Sequence, residues 1–125
     1  MTQDTSPTLL FADLGLSATV MQAVATIGYE TPSPIQAATI PAMLEGRDVL
    51  GQAQTGTGKT VAFAIPAIEK IDLNEAETTV QVLILCPTRE LAMQACEEIR
   101  KFAKYKRNVK ACAVYGGASM ERQIM

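Results

Sequence analysis

Near the start of the chain the apolar positions recur at helical spacing. Val20, Met21, Val24 and Ile27 share one face of a stretch that Ser17 can cap and Gly28 can end, which predicts a helix from that cap to Ile27. Residues 28–36, GYETPSPIQ, break the period. Pro32 and Pro34 hold an extended turn there, and Ser33 followed by Pro34 supplies an N-cap and a first helical position for the next helix. A second helical stretch from Pro41 is expected to stop at Gly46. Residues 1–10 are largely polar, contain a proline and lack periodicity, so they predict a frayed, flexible terminus.

Further along, the pattern becomes one of short apolar runs alternating with helical stripes. Residues 48–51 suit a buried strand, and 61–71 are long and apolar enough for a helix. The acidic and polar segment 72–79 reads as an exposed loop. Residues 80–86 form a nearly continuous apolar run, as in a parallel sheet covered on both faces, and Pro87 ends it. Thr88 sits where an N-cap belongs, with Leu91, Ala92, Ala95, Ile99 and Phe102 as the apolar stripe of the next helix. Residues 109–115 are a third apolar run, and 119–125 begin another helix. The order predicts an α/β fold, a parallel sheet flanked by helices of which three strands are present.

Composition narrows the chemistry. With 125 residues the chain is one domain at most. It has no apolar run of about eighteen residues and no charged-then-apolar leader, so no membrane span or secretory signal is expected and the cytoplasm is the default location. Cys86, Cys96 and Cys112 are odd in number and widely spaced, and read as reduced core residues. Histidine is absent, which removes the commonest general base and zinc ligand. The net charge of −2 argues against coating nucleic acid by bulk attraction. Arg100, Lys101, Lys104, Lys106, Arg107 and Lys110 nevertheless cluster, and read first as a solvated helix end that complements the helix dipole.

Residues 53–60, AQTGTGKT, stand between a predicted strand and a predicted helix, the setting of a phosphate-binding P-loop. Gly56 and Gly58 allow successive N–H groups among Gln54, Thr55, Gly56, Thr57 and Gly58 to turn inward as a nest for anionic oxygens, and the following helix adds its positive end. Lys59 would reach the β- and γ-phosphates, and the Thr60 hydroxyl would coordinate Mg²⁺. The implied ligand is a nucleoside triphosphate with magnesium. The plainer alternative is a glycine-rich turn opening an ordinary helix. Upstream, Gln36 taken alone reads as a solvated helix residue. Its amide can also donate to adenine N7 while accepting from N6, with Tyr29 and more distantly Phe11 supplying an aromatic face or supporting packing.

Together, Phe11, GYETPSPIQ, AQTGTGKT, PTRELA at 87–92 and Gly116-Gly117 resemble the Q motif, motif I, motif Ia and GG motif of DEAD-box ATP-dependent RNA helicases. The resemblance covers nearly the whole chain and accounts for Ala53 in place of a first glycine; FADLGL and GRDVLGQAQTGTGKT are most like bacterial cold-shock-type members. It implies a RecA-like P-loop NTPase fold, truncated, with residues 11–46 as the Q-motif helical region and 47–125 as the N-terminal part of the first RecA-like domain. It also implies ATP or ADP with Mg²⁺ as cofactors, and Gln36 reading adenine with Tyr29 stacked near it and Phe11 supporting the Q motif from outside. Lys59 and Thr60 would be the catalytic P-loop residues. Pro87, Thr88, Arg89, Gly116 and Gly117 would contact the backbone of single-stranded or short duplex RNA. For Arg89 alone, a surface ion pair with a nearby glutamate is the plainer reading.

The family's Asp-Glu-Ala-Asp box, its Ser-Ala-Thr motif and its second domain with the arginine finger do not occur in these residues. The expectation is an N-terminal piece of a longer helicase that neither hydrolyses ATP usefully nor unwinds RNA alone, with open strand edges through which copies can associate. Two rivals stand beside it: another class of P-loop NTPase, and a non-catalytic module binding RNA or protein through the basic helix end.

Overall fold

The computed structural model describes residues 9–52, 58–72, 80–107 and 109–116. All but residues 9 and 10 of the flexible terminus expected at 1–10, all but residue 72 of the acidic loop expected at 72–79, and the helix expected at 119–125 lie outside them. A 3₁₀ turn, Phe11–Leu14, opens the described chain and four helices follow: α1 (Ala18–Ile27), α2 (Pro34–Leu44), α3 (Lys59–Lys70) and α4 (Arg89–Phe102).

Local signals set the helix ends. The Ser17 hydroxyl oxygen accepts from Val20 N at α1, and Gly28 closes that helix at φ +94°, its N–H donating to the carbonyls of Val24 and Ala25. Ser33 caps α2 and Thr88 caps α4, as their side chains and positions predict. Proline is where the expectation fails. No second helix starts at Pro41, because α2 runs through it to Leu44. A proline inside a helix costs about 3 kcal/mol. The burial of Gln36, Thr39 and Ile40 against α3 outweighs that cost here.

α3 is the centre of the packing, with α2 and α4 laid on it and α1 touching both α3 and α4. Phe11, Val20, Val24, Ile40, Val61, Ile65, Ile68 and Phe102 form the buried cluster. Two charged side chains lock the far end of α3. Glu69 accepts from Ser17 N at 3.0 Å and from its hydroxyl at 2.5 Å, completing the N-terminus of α1. Lys106 Nζ donates to the carbonyls of Ile68 at 2.6 Å and Ile71 at 3.1 Å at the C-terminal end of α3, where Ile68 O also accepts from Ile71 N at 3.3 Å.

The sheet departs from expectation. Among the described residues no strand ladder forms, and the runs at 48–51, 80–86 and 109–115 are not covered on two faces. Leu50 is fully exposed, Leu83 is 80% and Leu85 87% exposed, and Val114 is 68% exposed. Helices α3 and α4 stand on one side only, and a cleft of about 830 Å³ opens between them and the 80–86 and 109–114 segments. Burial still alternates with period two: Ile84 and Cys86 are half-buried while Leu83 and Leu85 are exposed, and Val109, Ala111 and Ala113 alternate with Lys110, Cys112 and Val114. That is the side-chain alternation of a half-covered strand. Side chains hold the segments where ladder bonds would: Gln81 Oε1 accepts from Asp72 N at 2.8 Å while its Nε2 donates to Asp72 O at 2.9 Å, and Arg100 donates to Ala111 O at 2.8 Å. Of the three thiols, Cys96 is buried as predicted, Cys86 is half-buried and Cys112 is exposed, so the core assignment fails for Cys112 because it lies on the open face.

Candidate nucleotide site

The capping box of α2 builds the first part of the site. Ser33 Oγ accepts from Gln36 N at 3.5 Å, and Gln36 Oε1 accepts in return from Ser33 N at 2.9 Å. This turns the Gln36 side chain back over the helix start, where Nε2 donates to the Gly58 carbonyl at 3.3 Å. Gln36 is only 6% exposed, so the reading of it as a solvated helix residue is overturned: its amide joins α2 to the turn that opens α3. One lone pair on Oε1 and one N–H on Nε2 remain for a further partner.

Gly58 is constrained twice. It caps α3 at φ +86°, a conformation that side chains resist, and a Cβ there would collide with Gln36 Nε2. Its carbonyl serves both Gln36 and the first intrahelical bond, from Ala62 N at 3.1 Å. Lys59 and Thr60 are the first two residues of α3, with Lys59 exposed and Thr60 half-buried, beside the helix's open N–H groups. Ala53, Gln54, Thr55, Gly56 and Thr57 lie outside the described residues. A chamber of about 330 Å³ lined by Ile35, Thr39, Met43, Val49, Ala62 and Phe63 adjoins Lys59 between α2 and α3. Gly51 belongs to the same wall, where a Cβ would sit 3.1 Å from Ile35 Cδ1.

Phe11 and Tyr29 stack with centroids 6.1 Å apart and 15° between planes, and the Phe11 N–H donates to Glu30 O at 3.0 Å. Phe11 is 1% exposed and packs, while Tyr29 is 42% exposed and keeps open surface. Phe102 adds a third ring, 6.1 Å from Tyr29 at 28°. Sequence reasoning placed Phe102 only in a helix stripe, because nothing local links it to Tyr29.

At the other end of α4, the Thr88 hydroxyl oxygen accepts from Leu91 N at 3.2 Å, leaving its O–H able to donate. Arg89 Nε pairs with Glu90 at 3.2 Å, with both side chains more than half exposed, which is the surface ion pair anticipated for it. Such a pair holds weakly and leaves most guanidinium donors open. Among the described residues nothing approaches the place where a Cβ would stand on Gly116, and Gly117 lies outside the described residues. The basic cluster is partly used internally: Arg100 and Lys106 donate to carbonyls, and Lys101 pairs with Glu98. That Lys106 caps a neighbouring helix, and not the end of its own, has no signal in the sequence.

Comparison with known proteins bears on this arrangement. The DEAD/DEAH box helicase family model matches residues 33–125. Over 114 residues the chain is 51% identical to the ATP-dependent RNA helicase DeaD of Klebsiella pneumoniae, covering 91% of this chain and 17% of that protein. It is 53% identical over 114 residues to the DEAD-box ATP-dependent RNA helicase CshA of Geobacillus kaustophilus, covering 91% and 24%. The chain thus spans 17–24% of the length of these two relatives. A DEAD box protein from the hyperthermophile Methanococcus jannaschii superimposes with TM-score 0.78 at 36% identity, over 93% of this chain and 31% of that one. Dbp5 of S. cerevisiae bound to RNA and ADP BeF3 gives TM-score 0.73 at 31% identity, over 78% and 25%.

Proposed function

Because the chain belongs to the DEAD/DEAH box helicase family, we propose that it forms the adenine- and phosphate-binding part of an ATP-dependent RNA helicase. The observation that carries this reading is the Gln36–Gly58 hydrogen bond, which ties a base-reading amide to the residue before Lys59. In this reading Gln36 uses its remaining N–H and lone pair on adenine N7 and N6, and Tyr29 borders the ring. Lys59 meets the phosphates as a point charge, and the N-terminal N–H groups of α3 complete the cradle with residues 54–57. Among the described residues no three His, Cys, Asp or Glu side chains gather to hold a metal. A single Thr60 hydroxyl fits Mg²⁺, an ion that keeps water and takes ligands from nucleotide phosphates. The ion's contribution there is to neutralise phosphate charge.

The finer elements belong to the same proposal. The half-covered segments 80–86 and 109–115 are strands of a parallel RecA-like sheet, with residues 47–125 as its N-terminal part and 11–46 as the Q-motif region. Thr88, Arg89 and the α4 N-terminus, beside Pro87, grip RNA phosphates, with Gly116 and Gly117 allowing a strand to pass near. The 125 residues alone bind nucleotide without hydrolysing it at a useful rate. Among the described residues no helix is long and apolar enough to cross a membrane, and a cytoplasmic setting is part of the reading.

Calorimetric titration with ADP and GDP, each with magnesium, tests it. ADP should bind more tightly than GDP, Gln36→Ala should erase the preference, and Lys59→Ala should weaken both nucleotides. Equal binding of ADP and GDP by the unaltered chain would favour a different class of P-loop enzyme. RNA-stimulated ATP hydrolysis by the chain alone would refute its proposed inactivity.

A further inference from the structure

Phe102 ends α4 and is wholly buried, yet its ring lies 6.1 Å from that of Tyr29, which is 42% exposed. Phe11 belongs to the same local assembly as Tyr29, through its bond to the Glu30 carbonyl. Phe102 comes from a different element. A second contact joins the turn that follows α4 to the chain just before Tyr29: the Tyr105 hydroxyl lies 3.0 Å from Thr26 Oγ1, near the end of α1. Tyr29 is therefore packed against two buried rings, one of them delivered by α4, while part of its surface faces outward. Among the described residues the Tyr29 side chain makes no hydrogen bond, so ring packing is what holds it.

We propose that Phe102 is a positioning residue for Tyr29, so that the helix beginning at Thr88 and Arg89 sets, at its other end, the ring bordering the adenine. This rests on the proposed nucleotide reading and extends it to a residue outside the recognised motifs. A displacement of α4 would then change recognition of the base before it changed the grip on phosphate. Phe102 acts through Tyr29 and touches no ligand.

The test is titration of the purified 125-residue chain with ADP, GDP and pyrophosphate. Phe102→Met keeps volume and apolarity but removes the ring. It should weaken ADP about three- to tenfold, the range an aromatic pair supplies, and leave pyrophosphate unchanged. Phe102→Tyr should restore ADP affinity. In a Tyr29→Ala background Phe102→Met should have no further effect, because a residue acting through Tyr29 cannot act without it. Unchanged ADP affinity in folded Phe102→Met, an equal loss for pyrophosphate, or an undiminished loss in the Tyr29→Ala background overturns the inference. Should Phe102→Met not fold, Tyr105→Phe carries the test: about a twofold loss for ADP alone supports the inference and no change overturns it. Lys59→Ala separates the two levels. If it binds ADP like the unaltered chain, or the unaltered chain binds no ADP, the nucleotide reading fails and the inference with it. If Lys59→Ala loses binding while Phe102→Met does not, only the inference fails.

Discussion

At the scale of single residues, Gly58 and Gln36 are one device. The glycine's positive φ and its missing side chain make room for the amide that crosses to it. Gly58→Ala should lower stability by about 1–3 kcal/mol, from left-handed backbone strain and a displaced hydrogen bond, read as a fall in the midpoint of urea unfolding. Gly51→Ala offers a contrast. Its Cβ would meet the far end of Ile35, 3.1 Å away, so the side chain can yield and the loss should stay below about 1 kcal/mol. A Gly51→Ala effect as large as that of Gly58→Ala would mean that Ile35 cannot yield. The role of Gly58 in turning the loop is legible in the sequence; its fit against Gln36 is not, because that contact joins separate elements.

At the scale of elements, the helices are held by side chains at their ends. Lys106→Met should cost about 1–2 kcal/mol, since it strips a cation and two hydrogen bonds from the C-terminal carbonyls of α3. Lys106→Arg should recover part of that loss in a thermal scan. Ser17→Ala should cost about 0.5–2 kcal/mol through the lost cap, and Glu69→Ala should weaken the same helix start from the other side. If the two act as one unit, the double variant will lose less than the sum. Caps at Ser17, Ser33 and Thr88 could be read from sequence because the cap and its partner lie within one turn. The continuation of α2 through Pro41 could not, because burial on α3 decides it against local preference. The contacts of Lys106 and Phe102 were hidden for the same reason, as each bridges elements distant in the chain.

At the scale of the whole molecule, a helical core around α3 carries two apolar segments covered from one side. The apolar runs were legible, and so was their alternation with helices; the sheet expected of them does not form among the described residues, since a ladder depends on distant partners. Leu83 and Leu85 lie on the open side, where apolar surface favours self-association. Sedimentation at rising concentration should show association of the chain, and Leu83→Lys with Leu85→Lys should suppress it with a stability change within about 0.5 kcal/mol. Association unaffected by the pair would place the contact elsewhere.

The alternation of burial along these segments also grades two cysteines, with Cys112 outside and Cys86 at half depth, while Cys96 lies buried on α4. The chain therefore carries its own depth gauge: alkylation with a maleimide should proceed in the order Cys112, Cys86, Cys96. Any partner that closes over the open face would silence the first thiol while leaving the last one's rate to report only on unfolding.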